Sequence, residues 1–344
     1  MNTRKMKGMS WTLYLLKLIP TAFSMQEFQP SDTLDFVQLL ESARKNRISL
    51  PLLETVNRVE LKDKFEAEVK KYEDMLVSVS KVSELLTQNG IKHAVFKTVR
   101  PYRCATVDID IIIFGTPQDH ARSYLTLQRN GFELVVHGPK STTMMDTQTN
   151  IGIDLYREIA VSNIDYIDKD KLAAHVEIVT LPNGRNIANL EPEADLVCII
   201  AHSIIKEQMY VLSEYYTFLQ YLRKLNIASF INLVRQNHLT NAVRTHACIT
   251  ALLHKTAHGN LPSLLDRMLK DLGEENLETG RIAQKNYETP IKYHTVTVAR
   301  SLLEIARTPK TRKSFAEQIT KMADPDFSKT FLKALLQHAT RQTY

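Results

Sequence analysis

The sequence predicts a mixed α+β fold, with a β-sheet core between a helical N-terminal region and an all-helical C-terminal half. Three observations predict it. After Gly90 the apolar period shortens from three or four residues to short runs of β-branched residues, and at Glu191 it lengthens again. The third is size: 344 residues, 44% of them hydrophobic and 24% charged, can bury a full core. The expected division is a helical region over 1–89, a sheet core over 90–190 and a helical domain over 191–344.

In the first region, Ser31 or Asp32 can cap a helical segment through residues 35–40. Residues 61–88 carry Phe65, Val69, Tyr72, Leu76, Val79, Val82 and Leu86 at intervals of three or four, an apolar stripe that core packing explains, and Asn89-Gly90 closes the helix. Upstream, Lys5-Met6-Lys7 before Trp11-Thr12-Leu13-Tyr14-Leu15-Leu16 imitates a signal peptide, but Lys17 interrupts the run and no small-x-small cleavage pattern is clear. No segment approaches the ~20 apolar residues of a membrane-spanning helix. A cytoplasmic protein without a membrane partner is expected.

In the middle region, His93-Ala94-Val95-Phe96 and residues 107–114 read as buried strands, and 117–130 as a helix ended by Gly131. Phe132-Glu133-Leu134-Val135-Val136 and Ile151-Gly152-Ile153-Asp154-Leu155-Tyr156 read as further strands. Residues 175–181 and the turn Pro182-Asn183-Gly184 extend the layer. Beyond Glu191, helices are expected near 192–208, 210–224, 227–237, 240–257, 261–272, 291–307, 311–322 and 327–341. The run Lys310-Thr311-Arg312-Lys313 reads as a solvated helix start.

Cys104, Cys198 and Cys248 have neither zinc-finger nor disulfide-framework spacing, and helical histidines such as His246 and His294 read as packed or surface residues. The 44 basic and 38 acidic residues give a net charge of +6, a mild bias towards a polyanionic partner such as RNA or a triphosphate.

The chemistry concentrates where two aspartates interrupt an apolar strand, Val107-Asp108-Ile109-Asp110-Ile111-Ile112-Ile113. Side chains alternate along a strand, so Asp108 and Asp110 share one face and Val107, Ile109 and Ile111 the other. Two carboxylates so close repel and lose hydration, so they call for a cation or hydrogen-bond donors. Asp154 repeats the pattern on a later strand. Together the three acids make an oxygen-rich set suited to Mg2+, with Mn2+ possible, and are expected in one cleft.

The order of Phe96-Lys97-Thr98, Arg103, Asp108-Ile109-Asp110, Asp154-Leu155-Tyr156 and Ala201-His202-Ser203 resembles nucleotidyltransferases of the DNA-polymerase-beta superfamily. The likeness runs over about residues 85–225 and is greatest to a prokaryotic branch akin to the nucleotidyltransferase toxins of abortive-infection systems. It implies a nucleotidyltransferase-fold core in which Asp108, Asp110 and Asp154 are catalytic and hold metal. The reaction implied moves a nucleoside monophosphate from a nucleoside triphosphate, ATP among them, to a hydroxyl on RNA or tRNA, protein or a small molecule, releasing pyrophosphate. Lys97, Thr98 and Arg103 become candidates for the triphosphate, Arg103 as a bidentate fork.

His202 and Lys206, one helical turn apart, are candidates for the same ligand, with Glu214 orienting Lys206 and Lys140 a weaker addition. Tyr156 stands where the branch has histidine. Lys97-Thr98 stands where the family has Gly-Ser or Lys-Gly, which opens the alternative of a catalytically impaired nucleotide-binding or protein-interaction module.

Overall fold

In the computed structural model, which describes residues 9–24, 28, 34–273, 277–329 and 333, helices α1 (Trp11–Leu18), α2 (Phe36–Lys45) and α3 (Ser49–Val56) lead into the long α4 (Lys62–Gln88). Asp35 caps α2 by accepting from the Val37 and Gln38 amides. The caps expected at Ser31 or Asp32, and most of the helix expected over 327–341, lie outside the described residues. The signal-like Trp11 segment is α1, and its Leu15 and Leu16 are buried in the core.

The middle of the chain continues as β1 (His93–Phe96), β2 (Asp108–Ile113), α5 (Pro117–Gln128), β3 (Phe132–His137), β4 (Ser141–Asp146) and β5 (Ile151–Tyr156). There follow β6 (Ile159–Val161), β7 (Ile164–Ile167), the short α6 (Lys169–Leu172), β8 (Val176–Thr180) and β9 (Asn186–Leu190). Thr116 and Asp119 close a capping box at the start of α5, with Pro117 in its first turn. Seven strands form one mixed sheet in the order β3-β4-β5-β2-β1-β9-β8, in which β2 runs parallel to β5 and β1 parallel to β9.

Alternation sorts β2 as expected. Ile109, Ile111 and Ile113 pack with Tyr72, Leu76, Val79, Val82 and Leu86 of α4, so the predicted stripe covers one sheet face. On the other face Phe96, Ile112 and Tyr156 join the core shared by the N-terminal and C-terminal helices.

The C-terminal half comprises α7 (Pro192–Ala201), a π-helical turn (His202–Glu207), β10 (Met209–Tyr210), α8 (Leu212–Leu222), α9 (Ile227–Gln236) and α10 (Thr240–His258). It continues with α11 (Ser263–Leu272), α12 (Leu277–Gln284), β11 (Ile291–Lys292), α13 (Thr295–Ile305) and α14 (Pro309–Met322). The half is helical as expected, except that β10 and β11 pair over two residues. Such a ladder is too short to leave a period. No helix among the described residues is long and apolar enough to cross a membrane.

Other elements escaped the sequence, the short α6 among them. β4 is polar, Ser141-Thr142-Thr143-Met144-Met145-Asp146, and carries no apolar alternation, yet it fills the place between β3 and β5. β6 and β7 form a separate hairpin, and α12 follows the undescribed residues 274–276.

Candidate active site

Strand register brings the acids together. In the parallel pair β2–β5, Asp110 lies opposite Asp154 and Asp108 opposite Gly152. Carboxylate oxygens of Asp108, Asp110 and Asp154 all come within 4.8 Å of one another. The donor set is entirely oxygen, which fits a hard divalent cation such as magnesium. Thr143 of β4 donates to Asp154 Oδ1 at 2.6 Å, so the strand the sequence concealed orients the third acid.

The cluster is short of positive charge. The neighbouring Asp110 charge, followed by burial, pushes the Asp108 carboxyl up to about 6, and burial raises Asp154 above the usual carboxylate range. Lys97 relieves part of this. In the antiparallel pair β1–β2, Phe96 lies opposite Asp110, so the next residue turns over the acids and places Lys97 Nζ 3.1 Å from Asp110 Oδ1. The ammonium also lies 4.7 Å from the centre of the Phe96 ring.

Lys97 adopts φ 58°, the left-handed conformation for which glycine is preferred. Its amide donates to Asp195 Oδ1 at 2.5 Å, while Asp195 Oδ2 accepts from the Tyr221 hydroxyl at 2.8 Å. Tertiary hydrogen bonds thus hold a turn that glycine would make without help. Thr98 is fully buried, and its hydroxyl accepts from the Asp110 amide and donates to the Phe96 carbonyl. That corrects the expectation that Thr98 offers its hydroxyl to a phosphate: the hydroxyl staples β1 to β2.

A cavity of about 760 Å³ opens over this sheet edge, and Lys97, Asp108, Asp110, His202 and Lys206 all line it. His202 accepts at Nδ1 from Lys97 Nζ over 3.0 Å and donates from Nε2 to Glu207 Oε1 over 2.9 Å. Burial, followed by the Lys97 charge, holds its ring well below the usual imidazole range. The contact with Glu207 is therefore a hydrogen bond from a neutral ring. Lys206 donates to the Tyr156 hydroxyl at 3.2 Å, and Tyr156 packs edge-on against Phe96 with ring centres 5.3 Å apart.

Three residues do not take the places expected of them, although Glu214 still lines the cavity. Arg103 pairs with Glu54 at 2.5 Å and lines a separate small pocket, because the loop after β1 turns it towards α3 rather than the acids. Lys140 pairs with Asp165 at 3.0 Å. Glu214 does not orient Lys206; it accepts from the Ser203 hydroxyl at 2.8 Å, and burial pushes its carboxyl up to about 7.

The structure adds Arg44, Arg47 and Arg100 to the cavity lining. Arg100 stands in the same loop as Arg103, and nothing local separates the two. Arg44 and Arg47 come from the end of α2 and the residues after it, far from any motif. Cys104 also lines the cavity, but burial raises its thiol to about 11, so it stays protonated near neutral pH.

No protein-family model and no curated protein matches the chain. Among solved structures it is similar to an antigenic nucleotidyltransferase-like protein from Paracoccidioides brasiliensis, with 13% identity over 65% of this chain and 96% of that one, at a TM-score of 0.30. So slight a likeness settles neither fold family nor chemistry.

Proposed function

We propose that the cavity binds a nucleoside triphosphate with a divalent cation and transfers its nucleoside monophosphate to a hydroxyl acceptor, releasing pyrophosphate. The observation that carries this reading is the convergence of Asp108, Asp110 and Asp154 within 4.8 Å, from adjacent strands and beside a cavity large enough for a nucleotide. The ordered motif of turn, paired acids and third acid supports the same chemistry.

Asp108, Asp110 and Asp154 would hold magnesium, which supplies charge neutralisation at the phosphate oxygens. Lys97 and Lys206 bind and orient phosphate, Lys97 from a fixed position 3.1 Å from Asp110. The acceptor oxygen bonds to the α-phosphorus, the bond to pyrophosphate breaks, and Asp154 takes the acceptor proton. Phe96 and Tyr156 stack beside the Lys97 ammonium, at 4.7 and 5.4 Å, and shield that one group from bulk water.

The alternative of an impaired module rested on the missing glycine. Lys97 itself takes up the left-handed turn with Asp195 behind it, which supports an intact turn at this position. The test is to incubate the protein with each labelled ribonucleoside triphosphate, magnesium and total RNA or cell lysate, then identify the labelled macromolecule. RNA, tRNA and protein acceptors separate on nuclease and protease treatment. Absence of label from all four triphosphates would sink the reading.

A further inference from the structure

The π-helical turn His202–Glu207 has wider-spaced hydrogen bonds than an α-helix, and it sets Glu207 beside His202, five residues earlier. Four groups then stand in line: Glu207 Oε1 lies 2.9 Å from His202 Nε2, His202 Nδ1 3.0 Å from Lys97 Nζ, and Lys97 Nζ 3.1 Å from Asp110 Oδ1. An imidazole nitrogen facing an ammonium must present its lone pair. The Tyr166 hydroxyl, 3.4 Å from the same Nδ1 and buried, faces that lone pair too. Both ring nitrogens are therefore committed, and the ring has none to offer a triphosphate.

We infer that Glu207 and His202 are positioning residues: Glu207 fixes His202 as the neutral Nε2-protonated tautomer, and the Nδ1 lone pair aims the Lys97 ammonium at Asp110. The link to catalysis rests on the proposed triphosphate reading, whereas the tautomer does not. Lys97 has a long flexible stem, and a point charge on such a stem needs a second anchor to hold a fixed place. The π turn supplies that anchor from another part of the chain. This revises His202 from a ligand of the triphosphate to a support for Lys97.

The test is nitrogen-15 NMR on the full chain with labelled histidine at pH 7, the His202 signals being identified by their loss in His202→Asn. The expected wild-type ring is neutral, protonated at Nε2 and bare at Nδ1. Glu207→Leu should lose this single tautomer and weaken magnesium–ATP binding about 10-fold. Glu207→Gln keeps an acceptor oxygen and should retain both tautomer and affinity. An Nδ1-protonated or doubly protonated ring in the wild type overturns the inference whether or not any variant folds. So does Glu207→Leu with unchanged tautomer and affinity. If the wild type binds no triphosphate, the proposed function falls, and the tautomer stands or falls on the spectra alone.

Discussion

Two clusters of acids in this protein differ in how their charge is met. Glu158, Asp165 and Asp168 have lysines at hand: Lys140 lies 3.0 Å from Asp165, and Lys310 of α14 lies 2.8 Å from Glu158 and 3.2 Å from Asp168. That cluster clamps the β6–β7 hairpin to α14. Asp108, Asp110 and Asp154 stand closer together, yet among the described residues their one ion pair is that of Lys97 with Asp110. The leading cause of the shift at Asp165 is burial, whereas at Asp108 it is the neighbouring carboxylate. Acids that serve the fold bring their cations with them. Acids crowded together with one ion-paired lysine among them leave room for a cation from outside.

The strongest way to break this comparison is to remove a carboxylate from each cluster's centre. Asp110→Asn should cut transfer of labelled nucleotide by more than about 100-fold, beyond the usual cost of losing a residue that merely supports a metal ligand. Asp165→Asn should leave transfer intact. Equal losses in a labelling assay would erase the distinction.

Next in size is Lys97. Lys97→Gly keeps the left-handed turn but deletes the ammonium and leaves Asp110 without its buried partner, so calorimetry should show magnesium–triphosphate affinity falling about 10-fold, with a loss of stability in the metal-free protein. Lys97→Ala should lose the same affinity and be about 1 kcal/mol less stable than Lys97→Gly, because it keeps a Cβ in the left-handed region. Unchanged affinity in Lys97→Gly would return Lys97 to a structural role.

In the other cluster, Lys310→Met leaves Glu158 and Asp168 facing each other at a part-exposed site. Denaturant unfolding should register a loss of about 1–2 kcal/mol, with triphosphate affinity unaltered. A change in affinity would tie the hairpin clamp to the cleft.

The smallest effect is the pH dependence of Asp108→Asn in metal-free protein. The folded-state value of about 6 exceeds the ordinary 3.8, so the native state binds the extra proton between those values and wild-type stability falls as pH rises through that window. The asparagine variant escapes this. It should match wild type below about pH 4 and exceed it above pH 6 by about 1 kcal/mol, after allowance for solvent screening at a part-exposed group. A constant difference across the range would mean that repulsion from Asp110 is not the cause. The same relief is not expected of Asp110→Asn, which also breaks the buried pair with Lys97.

Most of the layer order was legible from period alone, because the switch at Gly90 and the return at Glu191 reflect which faces each element buries. β4 was not, since its run of polar residues shows no apolar alternation and pairing on both edges is what makes it a strand. The acids were legible because charge inside an apolar strand is costly wherever the strand lies. Arg103 misled for the opposite reason: a loop arginine has no period, and only the path of the loop sends Arg100 to the cavity and Arg103 to Glu54.

The sequence by itself determined that Asp108 and Asp110 share a face opposite Ile109 and Ile111, because alternation is a local property of extended backbone. It also determined the apolar stripe of α4 that covers the other side. Tertiary structure decided the rest: that Asp154 stands opposite Asp110, that Thr143 holds it, that Asp195 steadies the Lys97 turn, and that Glu207 reaches His202. The first two depend on strand register and the third on a contact between distant elements. The last depends on a π turn that brings residues five apart together, and none of the four follows from local conformational preference.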